Sequence, residues 1–217
     1  MSISMEVWGD LACFSPPWAK IERLTYPFPT PSAARGILSA VYVRPIEFRW
    51  EIERIEVLRP IRYVSFKRNE VKSTISERNP TCIYTDDDRT QRQTVALQDV
   101  RYRIVARIVP RRGFEQRQRA LEEQALRRIR SGKCFFQPSL GLREFAAYFA
   151  ESDGAAQPIP VDLDAGLMLY DVFDLHECEV TKKAQPQPSL FHAVMRQGVI
   201  EVPPYDSPEV LKGGPVC

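Results

Sequence analysis

The chain is poor in the residues that build metal and redox centres. Among its 217 residues are five cysteines and two histidines. Cys13, Cys82, Cys134, Cys178 and Cys217 form no C-x-x-C pair and are odd in number, which argues against a disulfide framework or a zinc module. His176 and His192 lack metal-ligand spacing and are expected to be structural or exposed. No metal and no cofactor are therefore expected. No apolar run approaches the ~18 residues of a membrane span. The stretch from Met1 to Asp10 lacks the basic and apolar regions of a signal peptide. No membrane partner and a cytoplasmic location are expected. Net charge is only +2, so the chain as a whole is not a polycation.

What the chain does have is core-forming residues and arginine. The hydrophobic fraction of 44% is ample for a folded core. Of 30 cationic residues, 23 are arginine. Arginine's planar fork grips phosphate and stacks on bases, although an arginine bias also fits a GC-rich genome. From Arg101 to Lys133 there are eleven cations and three acids. Such clustering favours a polyanion partner over a solvated charged face.

Local patterns divide the chain into elements. Ile3, Met5 and Val7 alternate with polar residues and predict a first strand that ends at Trp8-Gly9-Asp10. Phe48, Trp50 and Ile52, then Ile55 and Val57, predict a long strand whose phase slips at a bulge near Glu53, closed by Pro60. Residues 67–93 are polar and irregular and read as a long loop, with Asp86-Asp87-Asp88 as a solvated tip rather than a metal site. Val100, Tyr102, Ile104, Ala106 and Ile108 mark the buried side of another strand, which places Arg101, Arg103 and Arg107 on an open face. Leu121, Ala125 and Ile129 set the core side of a helix over 114–131, capped by Gly132. Phe135 and Phe136 lie near Lys133. Adjacent aromatics there suit base stacking, but each is individually expected in the core. Residues 152–160 read as a linker, and 167–180 as a strand. Arg196-Gln197-Gly198 reads as a hairpin turn, and the tail from Pro203 as loose. The alternation predicts an α+β fold with helices on one face of an antiparallel sheet, in which a ferredoxin-like domain over 1–150 precedes a β-rich extension over 151–217.

The stretch 29–45 carries the most information. Thr30 is a good N-cap and Pro31 suits the first helical position. Pro45 predicts a stop at Arg44. Gly36 inside this helix costs about 1 kcal/mol relative to alanine, and close packing or a nucleic-acid backbone would be a reason to keep it. Arg35 and Tyr42 are seven residues apart and so are expected on roughly one face, which suits RNA and a solvated surface equally.

The ordered anchors Val7-Trp8-Gly9-Asp10, Thr30 to Leu38, Arg68-Asn69-Glu70-Val71, Gln91-Arg92-Gln93, Leu140 to Phe145, Ala193-Val194-Met195 and Gly198-Val199-Ile200 resemble the Cas-five family. In type I-C CRISPR surveillance complexes (Cascade), this family supplies the subunit that binds the RNA handle. The resemblance covers Val7 to about Glu209. It implies a ferredoxin-like, RNA-recognition-type fold, a thumb-like loop at 67–93 and a small C-terminal antiparallel extension. It also implies binding of the repeat-derived 5′ handle of CRISPR RNA beside the large and backbone subunits. In type I-C systems the subunit also cuts precursor RNA, without metal, by 2′-hydroxyl attack. The family's site resembles a Tyr or His late in the first helix plus a Lys-His pair early in the second. Tyr42 matches the first position. Ala120 and Leu121 stand where the pair should be, with Arg117 and Arg119 nearby to supply charge but unable to act as bases.

The candidate catalytic residues are therefore Tyr42, Arg117 and Arg119. The candidate RNA contacts are Arg35, Arg68, Arg92, Arg101, Arg103, Arg117, Arg119 and Lys133. A handle-capping subunit without catalysis, and a protein-interaction domain whose arginines form surface ion pairs, are the alternatives.

Overall fold

Strict alternation in the first residues produces β1 (Ser2–Ala12), which runs through Gly9 and past its expected end. Ile3, Met5 and Val7 face the core. The computed structural model describes all residues except 20, 74–81, 83, 178–185 and 214–217. In chain order there follow α1 (Pro31–Val41), β2 (Phe48–Val57), β3 (Tyr63–Val71), β4 (Arg89–Pro110), α2 (Gln118–Arg130) after a short 3-10 turn at 115–117, β5 (Tyr148–Glu151), β6 (Leu163–Asp171), β7 (Ser189–Arg196), β8 (Val199–Glu201) and β9 (Leu211–Lys212).

The fold is α+β: two helices on a mostly antiparallel sheet. The main path of strands is β5-β1-β4-β2-β8-β7-β6, with β3 added on β4 and β9 on β7. The pairing of Arg54, Ile55 and Glu56 with Glu201, Ile200 and Val199 makes the strands on either side of residue 150 one sheet. The phase slip in β2 is present as a register shift between Ile52 and Arg54. Gln197 and Gly198 both adopt positive φ, as a two-residue hairpin between β7 and β8 needs.

The region 67–93 departs from the irregular loop expected of it. Lys67 to Val71 pair with Gln93 to Arg89, so its two ends are a regular antiparallel ribbon. Polarity was misleading here because one face of the ribbon is exposed and the other is covered by ion pairs of Arg68 and Glu70 with Glu144 and Arg23, so neither needs an apolar stripe. At its described tip Asp88 accepts the Ser73 N–H at 2.7 Å and Asp86 pairs with Arg89. The strand expected over 167–180 starts at Leu163 and stops at Asp171, and its last three expected residues lie outside the described ones.

Core residues come from both helices and from both halves of the sheet. Among the described residues no helix is long and apolar enough to cross a membrane. The described cysteines Cys13, Cys82 and Cys134 are free.

Gly141 anchors the loop before β5. Its φ is +86°, and a Cβ there would lie 1.9 Å from the Cys13 carbonyl oxygen. Gly141→Ala is expected to cost about 3 kcal/mol and lower the Tm by roughly 10 °C in a thermal melt. An unchanged melt would show that the loop is not pinned to the end of β1.

Candidate nucleic-acid interface

The Thr30 hydroxyl accepts the Ala33 N–H at 3.1 Å, and Pro31 opens α1 as its sequence requires. The helix ends at Val41, before the expected stop at Arg44. Tyr42 is already extended (φ −149°, ψ 121°) while its N–H still closes on the Leu38 carbonyl. The shared face expected for Arg35 and Tyr42 is therefore lost. Tyr42 is 3% exposed. Its ring stacks on Phe48 at 5.4 Å, and its carbonyl accepts the buried Trp50 indole N–H at 2.8 Å.

Around that ring the structure gathers groups from three segments. The Arg44 guanidinium lies near the Tyr42 hydroxyl. Arg44 also pairs with Glu47 Oε1 at 2.8 Å, and Arg117, from the turn before α2, reaches Glu47 Oε2 at 2.9 Å. Burial pushes the Tyr42 phenol above its ordinary pKa, against the opposing pull of Arg44. The phenol is thus protonated at neutral pH and suited to donating a proton. Arg119 stays outside this cluster and pairs with Glu123 on its own helix at 3.0 Å. Leu121 is in the core, so a histidine there would require repacking, whereas Ala120 is exposed.

The nominated cations are scattered and mostly neutralised. Arg35 forms a two-pronged pair with Asp171 at 2.7 and 2.9 Å. Arg68 and Arg92 converge on Glu70 at 3.1 and 3.2 Å, at the root of the ribbon. Arg101 pairs with Glu6. Arg103 was expected on an open face but is 8% exposed. It donates to Glu6, Glu56, Ser152 and the Ala156 carbonyl, because the segment after β5 folds over it. Arg107 pairs with Glu51. Lys133 is exposed and has no ion-pair partner among the described residues.

A different positive surface forms beside α1. Phe135 and Phe136, expected in the core, are 55% and 60% exposed. They are held there because the Phe135 N–H, at 2.8 Å, and the Phe136 N–H, at 3.4 Å, cap the Ala40 carbonyl at the end of α1. Arg128 donates to the Val41 carbonyl and lies 4.1 Å over the Phe135 ring. Arg143 is exposed and, like Lys133, has no ion-pair partner among the described residues. Arg44, Glu47 and Arg143 were not among the candidates expected from the sequence. Only the Leu140–Phe145 anchor pointed near one of them.

Residues 2–203 match the family described as CRISPR-associated protein (Cas_Cas5). The chain belongs to the Cas5 family. A relative from Mannheimia succiniciproducens named "CRISPR pre-crRNA endoribonuclease Cas5d" is 39% identical over 97% of this chain and 98% of its own length. One of the same name from Thermus thermophilus is 40% identical over 93% and 91%. Among solved structures, one named "Crystal Structure of CRISPR-associated Protein" aligns over 97% of this chain and 96% of its own, with a TM-score of 0.68 at 21% identity. A functionally uncharacterized protein from Streptococcus mutans aligns over the same shares at 0.67 and 20%. At those identities the structural likeness speaks for the fold alone.

Proposed function

We propose that this chain is the Cas5 subunit of a type I-C Cascade, that it binds the 5′ handle of CRISPR RNA and that it cuts precursor RNA. The observation that carries this reading is the match, over nearly the whole chain, to two relatives named as pre-crRNA endoribonucleases. The order β5-β1-β4-β2 with α1 and α2 between strands supports reading 1–150 as ferredoxin-like, with 67–93 as its thumb-like part and 151–217 as the extension. CRISPR RNA and the backbone and large subunits are the partners, in the cytoplasm.

The cluster at Tyr42 suits metal-independent transesterification. The ribose 2′-oxygen attacks the adjacent phosphorus, the P–O5′ bond breaks, and a 2′,3′-cyclic phosphate and a 5′-hydroxyl result. Glu47 takes the 2′-hydroxyl proton, Tyr42 gives one to the leaving O5′, and Arg44 and Arg117 hold the phosphoryl charge. Glu47 thus takes over the proton-accepting role that the family's histidine would offer.

A handle-capping subunit without catalysis is the second reading, favoured by Leu121 being in the core where the pair would stand. Labelled repeat RNA incubated with the protein in EDTA decides between them. One discrete cut ending in a 2′,3′-cyclic phosphate is expected. Binding without a cut would leave the capping subunit. No binding at low salt would leave the protein-interaction domain, since RNA contacts weaken with salt at a slope of about −0.7 per phosphate.

A further inference from the structure

A groove of about 510 Å³ runs between α1 and the loop at 136–143. Its helix side presents Ser32, Gly36 and Ser39, and its other wall presents Phe136 and Arg143. No aspartate or glutamate lines it, in a chain with 28 of them. Arg143 there has no carboxylate partner among the described residues, unlike Arg68, Arg92, Arg101, Arg103 and Arg107, while Arg35, which also lines the groove, is held by Asp171.

Two features of the groove leave space and an open ring at its surface. Phe136 is held out in solvent by its backbone contact with α1, although burying such a ring would contribute about 1.5–3 kcal/mol. Gly36 sits in mid-helix with nothing within 4 Å of where a Cβ would be. Alanine would fit there and would favour the helix. The glycine keeps the floor of the groove open, and the phenyl ring and free guanidinium stand at its wall.

We infer that this groove is a subsite for one nucleotide of single-stranded RNA, with the base stacked on Phe136, the phosphate on Arg143 and the sugar-phosphate backbone crossing Gly36. Stacking on an aromatic face tolerates any base and a guanidinium recognises phosphate, so the chemistry fits an unpaired strand. Gly36 lies roughly 8 Å along the helix from its end at Val41, at 1.5 Å per residue, and Tyr42 follows directly. One strand can therefore occupy the groove and reach the Tyr42 cluster. The inference rests on the proposed RNA-binding function and specifies where the strand lies.

The test is fluorescence anisotropy with labelled single-stranded repeat RNA against wild type, Phe136→Ala, Arg143→Ala and Gly36→Met, each also melted thermally. Phe136→Ala should weaken binding by roughly 5- to 150-fold, the range that 1–3 kcal/mol per stacked base gives. Arg143→Ala should weaken it and reduce the salt slope by about 0.7. Gly36→Met replaces glycine with a better helix former, so its Tm should equal or exceed that of wild type while affinity falls at least tenfold. Wild-type binding with Phe136→Ala and Gly36→Met unchanged overturns the groove and leaves the RNA-binding reading standing. Failure of wild type to bind removes both.

Discussion

Tyr42→Phe is expected to reduce cleavage of repeat RNA by about 10²- to 10⁴-fold, the range for loss of a positioned proton donor. The ring is buried and stacked on Phe48, so the phenylalanine keeps that packing, and the melt should move little. RNA affinity should also hold, because the hydroxyl faces Arg44 and the cleavage cluster rather than the groove. Rate and affinity would thus separate in one variant. The pH profile gives a second readout. Burial raises the phenol's pKa, so the protonated form that donates persists through neutral pH, and activity that depends on it declines only above the ordinary tyrosine value of about 10. Glu47→Gln cannot accept a proton and should lose rate in the same assay. A Tyr42→Phe protein cutting at the wild-type rate would remove Tyr42 from the chemistry.

Arg103→Met should have the largest effect on stability. Arg103 neutralises Glu6 and Glu56 together, at 3.0 and 2.6 Å, and both carboxylates are buried. Removing the cation leaves Glu6 only Arg101 and Glu56 only Arg54, both more exposed than Arg103, at a cost of about 3–5 kcal/mol. In a chain of this size that lowers the Tm by roughly 10 °C or more. Burial tends to raise the Glu6 pKa, but hydrogen bonds from Arg101, Ser152 and Arg103 outweigh it and hold the carboxyl below its ordinary range. A carboxyl with a lowered folded-state pKa adds stability above its unfolded value of about 4.3, and that stability disappears as pH falls through the folded value. Wild type should therefore lose stability below about pH 4, and the variant should show less of that dependence. RNA affinity at neutral pH should be unchanged, because Arg103 faces its internal partners. A stable variant with weakened RNA binding would return Arg103 to the interface.

Patterns that act over a few residues were legible in the sequence. The cap at Thr30, the bulge in β2, the turn at Gln197-Gly198 and the core side of α2 depend on local backbone geometry and side-chain periodicity. The ordered anchors were enough for the family. Charge was not legible in the same way. The density of arginines between 101 and 133 suggested a polyanion surface, yet the carboxylates that neutralise Arg101, Arg103 and Arg107 come from far away in the chain. Glu6 lies 97 residues from Arg103, and by the same logic Asp171 lies 136 residues from Arg35.

The tertiary structure decided which cations and rings are available. A strand places its arginines on one face, but whether that face meets water or another segment depends on where the chain goes after β5. Phe135 and Phe136 are exposed because their backbone caps α1, a contact that outweighs the apolar preference of the rings. Tyr42 turned inward because α1 stopped three residues before Pro45 required it to, and that turn brought it to Arg44, Glu47 and Arg117. Periodicity and capping are properties of neighbours in sequence, so the sequence by itself determined the elements and the family. Ion pairing and exposure are set by neighbours in space, so only the fold could decide which arginines and rings remain for RNA.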